Sequence, residues 1–441
     1  MSSSQSRTVR SCAGFIVVLL LLATTNAAIA AGISEQEFAR RRTDLLQMLD
    51  SASVAVFRSA DVKQRSADTG YKFRQESNLL YLTGVTEPVV TLVQLSRPVT
   101  LDGSSTRRIL LVQPEVLRTL TAAGVFKDGI IVDVAKLPEI LNLALTGANT
   151  LYLSAPDIRF VNDWLNNRPL FVDRDVKREL ERRHDGLKVK SAGPMVGKLR
   201  EIKSESEIAL IKKSIAATGE GIVRAMKLCK PGVYEYELQA AIEFEMTRQG
   251  AEYVGFPSII GSGPNSLILH YDKNRRQMGR GEVVVMDVGA EMEGYSADVT
   301  RSIPVSGKFT KEQRDVYGAV LGAQKAVIKI IRPGRTFADL DRTAKSSLEK
   351  SGFGRYLNHG VSHHLGLDTH DAGGMDTLKA GMVITVEPGA YVPLSDSILA
   401  PAYRGWGIRV EDDVLVTDSG ATVLSSSIPK ELQEIERTMR K

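Results

Sequence analysis

Cysteine is almost missing from this 441-residue chain, which holds only Cys12 and Cys229. Cys12 falls in an apolar N-terminal stretch with no lipobox-like sequence before it, so Cys229 stands alone in the remainder. One usable thiol excludes an internal disulfide, and stability must come from packed cores. Long apolar runs are absent after the first thirty residues, which excludes a later membrane-spanning helix. A net charge of +5, with lysines and arginines dispersed, leaves no tract resembling a nucleic-acid footprint. No His-Glu-x-x-His, Gly-x-Ser-x-Gly or Cys-x-x-Cys occurs. Gly261-Ser262-Gly263-Pro264 lacks the third glycine and the Lys-Ser/Thr pair of a phosphate loop. Cys229, on a helical segment, reads as buried and not nucleophilic. Internal repeats and low-complexity stretches are not evident.

What is present divides the chain. Arg7 and Arg10, the apolar run Ala13–Ala23 and the small-x-small pattern Ala28-Ile29-Ala30 have the layout of a secretory signal peptide over residues 1–30. Cleavage before Ala31 is expected, leaving an exported protein of net charge +3 without a membrane segment; an uncleaved anchor is the rival reading. From Glu35 to Asp50 the pattern is helical. Apolar runs at Val54–Phe57, Leu79–Leu82, Val89–Leu95, Ile109–Val112 and Thr150–Leu153 read as strands, and Leu137–Leu145 and Ile158–Leu165 as helices. Such alternation predicts an α/β domain over residues 31–194, bounded at Ser191-Ala192-Gly193-Pro194. Over residues 195–441, helices are expected at Ser204–Leu228, Glu235–Arg248, Lys311–Ile331 and Phe337–Ser351. Strands are expected at Val283–Val288, Val299–Val305, Met382–Val386 and Ile408–Val416. Without strict βαβ order, the fold class of the whole is α+β.

Five residues carry the chemistry: Asp287, Asp298, His363, Glu387 and Glu411, each in a short strand-like or glycine-punctuated motif. Four carboxylates and an imidazole aimed at one point repel unless divalent cations lie between them, so the set predicts a two-metal hydrolase site. A turn about Met292-Glu293 would set Asp287 directly opposite Asp298 in a hairpin. His359, His363, His364 and His370 place four of the six histidines within twelve positions. Such a loop can supply both a ligand and hydrogen-bond donors. Glu387 ends a strand before Pro388-Gly389, at a rim. Glu411 follows Arg409 by two on one face of a strand, so the arginine can orient that carboxylate. His270, behind Leu267-Ile268-Leu269, reads as a core or a site histidine, and the remote His184 as a surface residue.

These motifs resemble the pita-bread metallopeptidases, and within them the aminopeptidase P (Xaa-Pro aminopeptidase) family. The matching stretches are LILHY, MDVGAEMEGYSADVTRSIP, HGVSHHLGLDTHD, MVITVEPGAY and GIRVEDD, together with FRQESNLLYLTGVTEP at Phe73–Pro88. The resemblance implies a C-terminal pita-bread catalytic domain after a smaller N-terminal α/β domain. It implies that Asp287, Asp298, His363, Glu387 and Glu411 bind two divalent metal ions, Mn²⁺ first, with Co²⁺ or Zn²⁺ possible. His270, His359 and His370 fall at the family's substrate-contacting histidines, and Arg409 at the arginine beside the last ligand. The implied reaction is attack of a metal-bridging hydroxide on the bond before proline in second position, with Glu387 moving the proton. The alternatives are prolidase, restricted to dipeptides, and a non-catalytic binding protein. Homodimers or homotetramers are implied. Ser302-Ile303 and His364 depart from the usual Thr-Phe and bulky aromatic without touching an expected ligand.

Overall fold

Successive residues of one strand, Ser53–Arg58, feed two different cores, because side chains alternate across a sheet. Val54 and Val56 join Val93, Ile109, Leu111 and Leu151 on one face. Ala55 and Phe57 join Leu92, Leu110 and Val112 on the other, in a core that continues into the C-terminal half. In this computed structural model, which describes residues 32–154, 160–163 and 168–440, that strand is near the middle of a six-stranded mixed sheet. The sheet order is Lys188–Ser191, Thr150–Ser154, Ser53–Arg58, Thr91–Leu101, Ser104–Val112, Ile130–Asp133. Its last strand ends at Ser191, and the helix Gly193–Glu201 leads into the C-terminal half. The expected signal segment lies outside the described residues. Among those described, no helix is long and apolar enough to cross a membrane.

Three local expectations are corrected. Leu79–Leu82 is not a strand but the centre of a helix, Ser77–Thr83. Glu76 accepts from the Leu79 N–H at 2.8 Å to start it, and Gly84 at φ 68° ends it. Nearly every side chain in it is buried, so no polar face betrays the helical period. Within the helix expected at Ile158–Leu165, Phe160–Asp163 is a strand antiparallel to Arg168–Phe171, and the rest lies outside the described residues. A short apolar run does not distinguish the two states. Ile408–Val416 is two strands, Trp406–Arg409 and Asp412–Val416, in different sheets, with the chain turning away between them at Val410-Glu411.

The C-terminal half wraps small antiparallel sheets with two helix pairs, Glu205–Leu228 with Glu235–Arg248 and Lys311–Ile330 with Phe337–Lys350. Ser204 and Thr310 open the longer helices with reciprocal capping boxes. A structural repeat relates the two pairs, although no repeat is evident in the sequence. Lys230-Pro231-Gly232 and Arg332-Pro333-Gly334 each end a helix and turn at a positive-φ glycine. Isolated bridges follow in each, Tyr234 to Gln277 and Thr336 to Thr377. Gly281 and Gly381, at φ 82° and 89°, then lead into the strands Val283–Val288 and Val383–Val386. The first strand carries Asp287 and the second stops one residue before Glu387, so the repeat delivers one acid from each half to a common centre.

Candidate metal centre

Asp287 lies on the middle strand of three, between Ile259–Ser262 and Val299–Pro304. It is not opposite Asp298. Asp287 faces Thr300, and Met292 pairs with Tyr295 across the two-residue turn Glu293-Gly294. Both turn residues have positive φ, 50° and 85°, the conformation of the turn that best matches strand twist. The expected register is therefore wrong by two residues. A slip of two keeps the face, so Asp298 remains on the side of Thr300 and Asp287, as a diagonal neighbour.

Asp298, His363 and Glu411 each offer a ligand atom, and these atoms lie within 4.8 Å of one another. Glu387 joins them through His363, whose Nε2 is 3.3 Å from Glu387 Oε1 and 3.5 Å from Asp298 Oδ2. His363 Nδ1 lies 2.9 Å from the His364 carbonyl oxygen, which leaves Nε2 facing the acids. Asp287 joins from the other side. Arg409 donates to Asp287 Oδ2 at 2.5 Å, to the Tyr391 hydroxyl at 2.9 Å and to Thr300 Oγ1 at 3.2 Å. Thr300 in turn donates to Glu411 Oε2 at 2.6 Å. The expectation that Arg409 orients Glu411 directly is corrected: the strand breaks between them, Arg409 pairs with Asp287, and Thr300 relays to Glu411.

The electrostatics are those of a place built for cations. Burial, then the charges of Glu411, Asp287 and Glu387, hold the Asp298 carboxyl well above the usual carboxylate range. Burial, then Glu387 and Asp287, does the same to Glu411. Burial would raise Glu387 too, but the His363 hydrogen bond and charge outweigh it and hold it low. Asp287 Oδ1 and Asp298 Oδ1 are buried without a hydrogen-bond partner. Unpartnered oxygens and crowded acids beside one imidazole fit divalent cations, which replace the missing partners and cancel the repulsion.

The expected site residues all line one cavity of about 1100 Å³. His270 is no core histidine: it follows a 3-10 turn, Gly263–Leu267, and is exposed at the cavity wall. Its ring is 6.4 Å from that of His370, which lies 4.3 Å from His363. His359 Nε2 sits 3.0 Å from the Tyr391 hydroxyl, and Nδ1 is 3.8 Å from Glu387 Oε2. Burial keeps the His359 and His370 imidazoles below their usual range, hence neutral near pH 7. His364 is buried against Phe337 with Nε2 2.9 Å from the Gly374 carbonyl, a packing role. His184 lies outside the cavity, at the end of a surface helix.

Several site residues escaped the sequence. Thr300 connects Arg409 to Glu411, Tyr391 connects Arg409 to His359, and Asp413 accepts from the Asp298 N–H at 3.2 Å. Tyr391 lies within a quoted motif, EPGAY, and Asp413 within GIRVEDD; the contacts that matter are long-range and leave no local signal. Arg74, from the N-terminal domain, also lines the cavity.

The models of known families match in two places: metallopeptidase family M24 over residues 209–418, and the aminopeptidase P N-terminal domain over residues 38–119. The chain is 35% identical to a Xaa-Pro aminopeptidase of Escherichia coli K12, over 92% of this chain and 98% of that one. It is 33% identical to the mitochondrial intermediate cleaving peptidase 55 of Arabidopsis thaliana, covering 92% of this chain and 83% of the relative. Among solved structures it is similar to aminopeptidase P from E. coli with the inhibitor Pro-Leu, with a TM-score of 0.77 and 31% identity over 92% of this chain and 98% of that one. Zinc-substituted E. coli aminopeptidase P in complex with product matches equally, with a TM-score of 0.77. The chain belongs to metallopeptidase family M24 and, by its N-terminal domain, to the aminopeptidase P group within it.

Proposed function

We propose that this protein is a metal-dependent aminopeptidase that releases the first residue from peptides with proline in second position. The convergence of Asp287, Asp298, His363, Glu387 and Glu411 on one cavity wall carries the reading. Those five side chains would hold two divalent cations; Mn²⁺ suits carboxylate-rich ligation with one imidazole, and Co²⁺ or Zn²⁺ can occupy such a set. Bound there, the cations would supply Lewis acidity, lowering the pKa of water and polarising the scissile carbonyl.

The chain's own groups do the rest. Glu387, at the end of its strand, takes the proton of the attacking water on a carboxylate oxygen and passes it to the departing imino nitrogen. His370 and His270, side by side on the cavity wall, donate N–H to the oxygen that gains charge in the tetrahedral intermediate. His359, fixed by Tyr391, shapes the wall against which proline packs. Arg409 fixes Asp287 and cancels one of the four acidic charges. Residues 1–30 act as a cleaved secretory signal that exports the enzyme to the periplasm or the medium. Residues 31–194 and 195–441 form the two domains, and the chain pairs into dimers or tetramers.

Cleavage of Xaa-Pro peptides of increasing length, with and without added Mn²⁺, tests the reading. Release of arginine from Arg-Pro-Pro, stimulated by Mn²⁺ and faster than cleavage of Gly-Pro, is expected. Cleavage of Gly-Pro alone would make the protein a prolidase, and no cleavage with no bound metal a binding protein.

A further inference from the structure

His370 makes no hydrogen bond of its own among the described residues; of the aromatic rings near it, that of His363 is 4.3 Å away and that of His270 6.4 Å. Its place is therefore set by the backbone of the loop Gly366–Asp371. That loop is held by the first residues of the catalytic half and, through them and directly, by the N-terminal domain. Asp371, on one side of His370, receives Arg200 and, at 3.0 Å, Lys203. The side chains of Arg200, Lys203 and Asp371 are 4%, 1% and 1% exposed, so this is a sealed ion cluster and not a surface pair. Asp368, two residues before His370, receives Arg200 at 2.6 Å and the Ser77 hydroxyl at 2.7 Å.

Ser77 begins a helix of the N-terminal domain, and Arg200 also donates to Asn78 of that helix at 2.8 Å. Arg74 reaches across as well, donating to the Leu367 carbonyl and, at 2.8 Å, to Glu291. The loop is also closed internally. The Asp371 N–H donates to the His364 carbonyl at 3.0 Å, and the Asp368 N–H to Asp371 Oδ1 at 3.3 Å.

We infer that the N-terminal domain is a working part of the active site: Ser77 holds Asp368 directly, Asn78 holds Arg200, and Arg200 with Lys203, at the start of the catalytic half, clamps Asp368 and Asp371 and thereby positions His370. The inference rests on the proposed peptidase activity. An isolated C-terminal half lacks the Ser77 and Asn78 anchors and holds His370 less well. Arg200, Lys203, Asp371 and Ser77 are positioning residues, since none need touch substrate. A donor displaced by ~1 Å costs about 10²-fold in rate, which sets the scale of the effect.

A double-mutant cycle decides it. Ser77→Ala, Arg200→Lys and Asp371→Asn are each measured in the wild-type and the His370→Ala background, with Xaa-Pro tripeptides and saturating Mn²⁺. Ser77→Ala is the mild variant that keeps every buried charge, so it reports even where Asp371→Asn fails to fold. In the wild-type background, kcat should fall roughly 5-fold for Ser77→Ala and up to about 10²-fold for Asp371→Asn, with KM little changed. In the His370→Ala background the same substitutions should cost nothing further. Full additivity, or a loss confined to KM, overturns the inference. A wild-type protein that cleaves no such peptide overturns the peptidase reading instead, so the two failures are distinct.

Discussion

Removing a charge from the acid cluster should stabilise the metal-free protein while destroying its response to metal. Asp298 and Glu411 offer oxygens no more than 4.8 Å apart. At an effective dielectric constant of about 20, two unit charges at that distance repel by roughly 3.5 kcal/mol. Proton uptake relieves part of this, because both carboxyls hold protons well above the usual range, through burial first and neighbouring acids second. Asp298→Asn should therefore stabilise the chelator-treated protein by roughly 1–3 kcal/mol at pH 7.5, a rise of a few degrees in Tm. Wild type with cation at about 100 times its Kd should gain about 2.7 kcal/mol, and the variant far less. The pH dependence has a definite sign. A carboxyl with a raised folded pKa contributes stability that is present below the unfolded value and lost as pH rises through the folded one. Metal-free wild type should thus lose Tm as pH rises above the ordinary carboxylate range, and Asp298→Asn should flatten that slope. The assay is a thermal melt at several pH values, with chelator and with Mn²⁺. A variant less stable than metal-free wild type, or one with an undiminished gain from Mn²⁺, refutes the reasoning.

Glu387→Ala should keep its chelator-treated stability within about 1 kcal/mol of wild type while losing turnover even in excess Mn²⁺; measurable turnover rules out its proton-transfer role. Glu235→Gln acts at a distance. The fully buried Glu235 carboxylate accepts from Ser262 N–H and Oγ, Asn265, the Tyr271 hydroxyl and the Arg276 N–H, all within 3.0 Å. A glutamine would turn N–H groups toward those donors, costing about 1–3 kcal/mol and loosening the segment that presents His270. A melt and a kcat/KM measurement check both effects, and an unchanged Tm sinks the first.

Parts of the site were legible because each expected ligand announces itself locally. Asp287 and Glu387 sit at the ends of apolar strands, with Gly289 and Pro388-Gly389 just beyond. His363 lies in the only histidine-dense segment of the chain. The register between Asp287 and Asp298 was not legible to a search centred on Met292-Glu293, although Glu293-Gly294 carries the residue type that a positive-φ turn favours. The strand break at Val410-Glu411 leaves no mark, since both flanks are equally strand-like and only packing separates them into two sheets. Least visible were the anchors of the His370 loop. Ser77 meets Asp368 across 291 positions, and Arg200 meets Asp371 across 171, so nothing near either residue hints at its partner. Local chemistry identifies the groups that react; tertiary closure chooses those that hold them still.

Charge balance explains why this wall suits two cations and not one. Asp287, Asp298, Glu387 and Glu411 carry four negative charges when ionised, and the buried Arg409 on Asp287 returns one. Asp413 stays out of the count because it accepts from the Asp298 N–H and is not one of the five expected ligands. His363, with Nδ1 committed to a backbone carbonyl, would lose its Nε2 proton to a bound cation and so enter as a neutral ligand. The surplus is therefore three negative charges on one wall of the cavity. One divalent cation leaves the wall negative, which opposes the charge that builds on a carbonyl oxygen under attack. Two would leave it positive by one unit and so favour negative charge developing beside it. The fourth carboxylate and the single arginine thus set the sign of the field, and the two halves of the repeat are needed because neither alone supplies enough acids to hold the second ion.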